Sequence, residues 1–233
     1  MYSMRPLPNE LLNNPLIWRA GDKPTLTTAG IASGFAELDQ ELPDRGWPRS
    51  ALTELLCDAV GIGEVSLLLP AMSNANVRSK GVVWIAPPYL PYAPALAGAS
   101  VDLQKLLILR PTTAADALWA AEQAIRAGAA AMVVTWLSQH IEYAMLRRLQ
   151  LACSTAECAG FIYRTSNALR QASPAPLRLA LTRSSTALTR SCDALTRSCD
   201  VLTPSSSTGL MRSVSENAVQ RDSLRLQIVK RRG

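Results

Sequence analysis

Histidine is all but missing from this chain, with His140 the one residue of its type among 233. A zinc centre would then depend on cysteine, and Cys57, Cys153, Cys158, Cys192 and Cys199 show no metal-binding spacing. No metal site is expected. Reduced thiols are expected on compartment grounds. Long hydrophobic runs are lacking too: none approaches the ~20 residues that cross a bilayer, and the N-terminal MYSMRPLPNE is not a basic-then-apolar leader. The expectation is a cytoplasmic protein without membrane association.

Lysine is absent where it would matter most. The stretch 54–69, ELLCDAVGIGEVSLLL, has the order of strand, glycine loop and helix in which backbone N–H groups surround a phosphate. A working loop G-x-x-x-x-G-K-[ST] places its lysine on the outer phosphates and its hydroxyl on magnesium. Here Cys57 is read at the first glycine, Gly61 and Gly63 supply the turns, Glu64 stands at the lysine and Val65 at the hydroxyl. A carboxylate beside a triphosphate repels it. The loop has the shape of an ATP site without the means to use ATP, so neither a cofactor nor catalysis is expected. Ser66, Asp58 and Glu64 keep open the alternative of a weak ATPase with reassigned residues.

What is present points to one core. The 48% hydrophobic content over this length suits a single sizeable α/β domain. Charge is uneven: residues 1–163 hold 12 Lys and Arg against 14 Asp and Glu, while 164–233 hold 12 against 4. The basic end is where DNA or an acidic partner would be met. Lys230, Arg231 and Arg232 are the leading candidates, with Arg147 and Arg148 behind them.

Residues 1–30 form a proline-bearing flexible lead-in with an apolar island at Leu16, Ile17 and Trp18. Strands are predicted at 52–56, 82–86, 106–109, 130–136, 160–164 and 177–181, from compact apolar or alternating runs. A buried helix is expected over Val65–Ala75, another over about 93–99, and one over Ile141–Ala152 with Leu146 and Leu149 inward. Thr113 and Asp116 propose a capping box for a helix that buries Leu118, Ala121 and Ile125 and stops at Gly128. The 130–136 strand ends in Thr135 and Trp136, where a nucleotide hydrolase would carry its magnesium-organising aspartate. Trp47, Tyr89 and Tyr92 are candidate protein-partner contacts, because large amphipathic aromatics dominate interfaces. From Leu181 a seven-residue step repeats as LTRSSTA, LTRSCDA, LTRSCDV and LTPSSS. One leucine per repeat is too narrow a stripe for a coiled coil, and a polar tandem insertion is the reading. SLRLQIVKRRG at 223–233 then returns as a strand antiparallel to 177–181.

The order of these features resembles the RecA-like recombinase core over about residues 31–138. That resemblance implies a three-layer α/β sandwich with a mainly parallel sheet and a C-terminal antiparallel pair. The blocks GWPRSALTELL, GIGEVSLLLPA, WIAPPYLPYAPALA, DALWAAEQA, LRRLQLA and KRRG are more closely similar to the ImuA family, whose related sequences are also described as SulA-like. The implied organisation is a RecA-like core at 31–181, a repetitive insertion at 182–222, and a returning edge strand with a basic end at 223–233. The implied role is that of a non-catalytic accessory of SOS-induced translesion DNA synthesis. Its partners would be an ImuB-type polymerase-like protein, an error-prone replicative-type DNA polymerase and RecA. The SulA-like resemblance implies the alternative of a division inhibitor acting on FtsZ polymerisation.

Overall fold

In the computed structural model residues 30–77, 80–184 and 223–231 are described. The lead-in at 1–29, the repeats at 185–222 and Arg232 lie outside the described residues.

The chain builds helix α1 (Ala36–Glu41), strand β1 (Leu52–Leu56), α2 (Leu69–Val77), β2 (Gly81–Ile85), α3 (Ala93–Gly98), β3 (Leu106–Leu109), α4 (Ala114–Arg126), β4 (Ala130–Trp136), α5 (Tyr143–Ala156), β5 (Ala159–Arg164), β6 (Leu177–Ser184) and β7 (Ser223–Arg231). Seven strands form one sheet in the order β3-β2-β4-β5-β1-β6-β7. Every pair is parallel except β6 with β7, which is antiparallel. The strands inside the sheet are buried and mostly apolar, as expected when helices cover each side. Leu38 of α1, Met72 of α2 and Leu96 of α3 join one buried cluster with Leu55, Val82, Trp84 and Val134. Ala117, Ala121 and Ile125 of α4 and Leu146 and Leu149 of α5 join the other with Leu52, Ile85, Val133 and Ile162. The result is a three-layer sandwich, and each leucine sealed within it contributes about 1.5–3 kcal/mol.

The expectations for the helix after the glycine loop, for Trp47 and for Leu118 need correction. The helix expected from Val65 begins at Leu69, after a turn in which Leu67 N–H reaches Gly63 O at 3.3 Å and Leu68 N–H reaches Val65 O at 2.9 Å. Pro70 supplies the reason: in a helix begun at Val65 it would be the sixth residue, where its missing N–H and its ring break the ladder. Begun at Leu69, the helix carries Pro70 in its first turn, where no partner is lost. Second, Trp47 is fully buried. It bridges Ile31 through reciprocal backbone hydrogen bonds of 2.7 and 2.8 Å and meets Phe161 edge-on at 5.3 Å. It is a core anchor that fastens the segment before β1, and no partner can touch it. Third, Leu118 is only half-buried, and Ala117 takes the inward position beside Ala121 and Ile125.

Gly34 shows how closely that first segment sits. Its φ is +85°, and a Cβ there would lie 2.3 Å from the Pro70 Cβ, so the turn and the helix fit only around glycine. No helix among the described residues is long and apolar enough to cross a membrane.

Candidate functional site

In sheets of this kind, ligand contacts collect outside the C-terminal ends of the strands. Here that rim holds a cleft of about 240 Å³, lined by Cys57 and Asp58 after β1, Ala86 and Pro88 after β2, Trp136 of β4 and Tyr163 of β5, among others. Cys57 N–H donates to Arg164 O at 2.9 Å, and Asp58 Oδ1 accepts Ser166 N–H at 2.8 Å, which ties the loop to the exit of β5. Hydrogen bonding from Ser166 holds the Asp58 carboxyl below its ordinary range.

The glycine loop is closed by its own side chain. Gly61 and Gly63 have φ of +82° and +98°, a left-handed geometry that glycine adopts without strain. Glu64 folds back so that its Oε1 accepts Gly61 N–H at 3.0 Å, and the residue is only 4% exposed. Its carboxylate therefore occupies a loop amide of the kind a phosphate oxygen would need. Its backbone carbonyl is fixed as well, accepting the Tyr163 hydroxyl at 2.6 Å. Glu64 Oε2 is buried without a hydrogen bond among the described residues. Val65 packs against the core, so the motif's hydroxyl position holds an apolar side chain. Counted back from Gly63, the first glycine of the motif falls on Asp58, one residue beyond Cys57. Burial first, then the Glu64 and Asp58 charges, push the Cys57 thiol up to about 11.

Where a hydrolase would organise metal and water, this chain has aromatic rings. Trp136 stacks on Tyr163 at 5.1 Å with the planes 15° apart, and Trp84 meets Trp136 edge-on at 5.3 Å. Thr135, the residue before Trp136, is buried. Ala86, at the end of β2, has φ +52°, an unusual conformation for a residue with a Cβ and a mark of local strain at the cleft wall. Beyond it Tyr89 and Tyr92 are each 73% exposed and Leu90 is 69% exposed. Two of the three aromatics expected to meet partners are thus at the surface, and Trp47 is not.

The basic candidates are scattered. Lys230 and Arg231 end β7, which runs antiparallel to β6, so they pair with Arg178 and Leu177 at the rim opposite the cleft. Lys230 Nζ donates to Ser173 O at 2.7 Å, and Arg231 lies 3.5 Å from the Glu41 carboxylate. Arg147 is exposed on α5, and Arg148 beside it holds Glu122. These residues do not converge on one surface.

A buried charge cluster escapes sequence reasoning. Glu54, 0% exposed in the middle of β1, accepts Arg178 Nε at 2.8 Å, Ser173 Oγ at 2.6 Å and Arg164 at 3.5 Å. Arg164 also donates to Gln171 Oε1 at 2.7 Å, and Gln171 Nε2 lies 2.9 Å from His140 Nδ1. The signal is present in the chain: a glutamate and two arginines inside strand-like runs must find partners if the strands are interior.

This geometry defines a three-layer α/β sandwich with a mainly parallel sheet, in which the glycine loop after β1 is closed by its own carboxylate. Parts of the chain are similar to known proteins. The family described as cell division inhibitor SulA matches residues 54–160. RecA of Salinispora tropica is 31% identical over 119 residues, 51% of this chain and 34% of that protein. Cell division inhibitor SulA of Edwardsiella piscicida is 29% identical over 122 residues, 52% of this chain and 72% of that one. The chain thus spans about a third of the RecA length it matches. A crystal structure of SulA from Pseudomonas aeruginosa aligns with a TM-score of 0.42 at 23% identity, covering 49% of this chain and 98% of that one. In sequence the chain is thus similar to RecA and SulA proteins over about half of its length.

Proposed function

We propose that this protein is a non-hydrolysing RecA-like accessory of the SOS response that acts by docking on other proteins during error-prone translesion synthesis. The observation that carries the reading is the Glu64 carboxylate seated on the Gly61 amide, in a loop without lysine. A triphosphate entering there would have to displace a buried anion and would find neither a lysine nor a magnesium-organising carboxylate in exchange. The exposed Tyr89, Leu90 and Tyr92 beside the same rim supply a surface suited to a protein partner. An ImuB-type polymerase-like protein, an error-prone replicative-type polymerase and RecA are the partners this reading nominates.

Thermal melts with and without magnesium and ATP test it, since a ligand that binds the native state must raise its stability. No shift and no hydrolysis are expected. A clear shift with turnover that is lost on Glu64→Ala would replace the docking reading with a weak ATPase.

The matched family at residues 54–160 favours a second reading, a division inhibitor that blocks FtsZ polymerisation without an active site. Light scattering of FtsZ polymers with this protein added separates the two. Suppression at near-stoichiometric amounts supports inhibition, and unaltered assembly leaves the translesion role.

A further inference from the structure

α4 and α5 cover one face of the sheet, and the seam between them is open to solvent. It holds a cleft of about 130 Å³, lined by Leu118, Trp119 and Glu122 of α4 and by Met145, Arg148 and Leu149 of α5, among others. Trp119 is 64% exposed and Met145 is 37% exposed. A surface indole forgoes the burial its large apolar area would gain, and here it is no isolated residue: a thioether and two leucine-lined walls adjoin it. The spacing follows the helix repeat, with Leu118 and Glu122 on one helix and Met145 and Leu149 on the other each four residues apart, so two stripes flank one trough.

Around Glu122 the rim is net positive, while Asp116 and Glu142 are exposed at the opening turns of α4 and α5. The Glu122 side chain, 7% exposed, is held by Arg126 at 2.8 Å and by Arg148 at 2.5 Å. One carboxylate between two guanidiniums leaves a positive surplus, and the arginine side chains are 62% and 57% exposed, with N–H donors turned to water. Arg147 is exposed next to Arg148, whereas Asp116 at the start of α4 is engaged by the Thr113 hydroxyl at 2.7 Å.

We propose that this seam is a docking site for an amphipathic helix of a partner protein, with acidic residues bordering its apolar face. An apolar helix face laid in a groove is a recurrent recognition mode, and α4, at 13 residues, offers a track about 20 Å long. Partner carboxylates can take paired N–H bonds from Arg126 and Arg148 while apolar side chains cover Trp119 and Met145. A basic helix would be repelled by Arg126 and Arg148 where they border the seam. DNA would leave the indole and thioether floor without a partner, because phosphate contacts ask for charge and not for an apolar trough. The inference deepens the docking reading, on which it rests only in supposing that the protein works by association.

The test uses two labelled synthetic 18-residue helical peptides titrated against the full chain by fluorescence anisotropy. One carries a leucine stripe bordered by glutamates; in the other each glutamate is a lysine. The acidic peptide is expected to bind at least tenfold more tightly, and added salt should weaken it. Trp119→Ala, at an exposed position with melting unchanged, should weaken it at least tenfold, and Arg126→Ala several-fold. Equal binding of both peptides, no binding of either, or indifference to Trp119→Ala would overturn the proposal. Such a failure with no ATP turnover would leave the docking reading standing; ATP turnover with selective acidic-peptide binding would do the reverse.

Discussion

Removing the carboxylate of Glu54 should unsettle this fold more than any change at its surface. Glu54→Leu leaves Arg164 and Arg178, 3% and 5% exposed, without the anion between them. Breaking a buried ion pair from one side costs about 3–5 kcal/mol, because the surviving charge stays desolvated. Part of that loss is cushioned. Arg178 keeps hydrogen bonds to Ala168 O at 2.6 Å and Gln171 O at 3.3 Å, and Arg164 keeps Gln171, so the lower end, about 3 kcal/mol, is expected. In a chain of this size that is a fall in Tm of about 6–12 °C. Urea titration supplies the free energy, with Glu41→Ala at the half-exposed Glu41–Arg231 pair as the control; there the change should stay within about 1 kcal/mol. Replacing Glu54, Arg164 and Arg178 together by apolar residues should recover much of the loss, since the desolvated charges then vanish as a set. A loss below about 1 kcal/mol for Glu54→Leu alone would refute the reasoning.

Three further outcomes follow from the geometry. Gly34→Ala, at φ +85° and against Pro70, should cost about 1–3 kcal/mol by chemical denaturation, while Gly98→Ala, with nothing within 4 Å, should be neutral or slightly stabilising. Burial pushes Cys158 up to about 12, and burial with the Glu64 and Asp58 charges pushes Cys57 up to about 11, both from 9.0. Because the folded state holds these protons more tightly, their stabilising share is intact below pH 9 and fades as pH rises through 11 to 12; urea midpoints measured across that window check it. If DNA binds at the end of β7, replacing Lys230 and Arg231 with alanine should flatten the logarithmic salt dependence of affinity, by roughly one for each phosphate no longer neutralised. An unchanged slope removes them from the interface.

The sheet can be read from the chain because its strands are short apolar runs set between turns, and 52–56, 106–109 and 130–136 match β1, β3 and β4 in both bounds. The antiparallel return of 223–231 is legible in the alternation of Leu224, Leu226 and Ile228 with Arg225, Gln227 and Val229. The site is less legible. That Glu64 opposes phosphate follows from its charge, but that it turns inward onto Gly61 depends on loop dihedrals which no residue pattern specifies. Pro70 is enough to correct the helix start, since proline marks a first turn as clearly as it forbids an interior. Trp47 deceives because an amphipathic aromatic serves core and interface alike, and only its bridge to Ile31 decides between them. Trp119 escapes notice for the converse reason: an apolar residue in an amphipathic helix is assigned inward by default.

The pairing of Ser184 with Ser223 closes the last two strands on themselves, so the sheet is complete whatever chain joins them. Ser184 ends β6 on the side of the sheet toward which its parallel neighbour β1 also runs. The junction is a natural splice point: a fluorescent reporter or a purification handle seated there would ride on the framework without entering any strand.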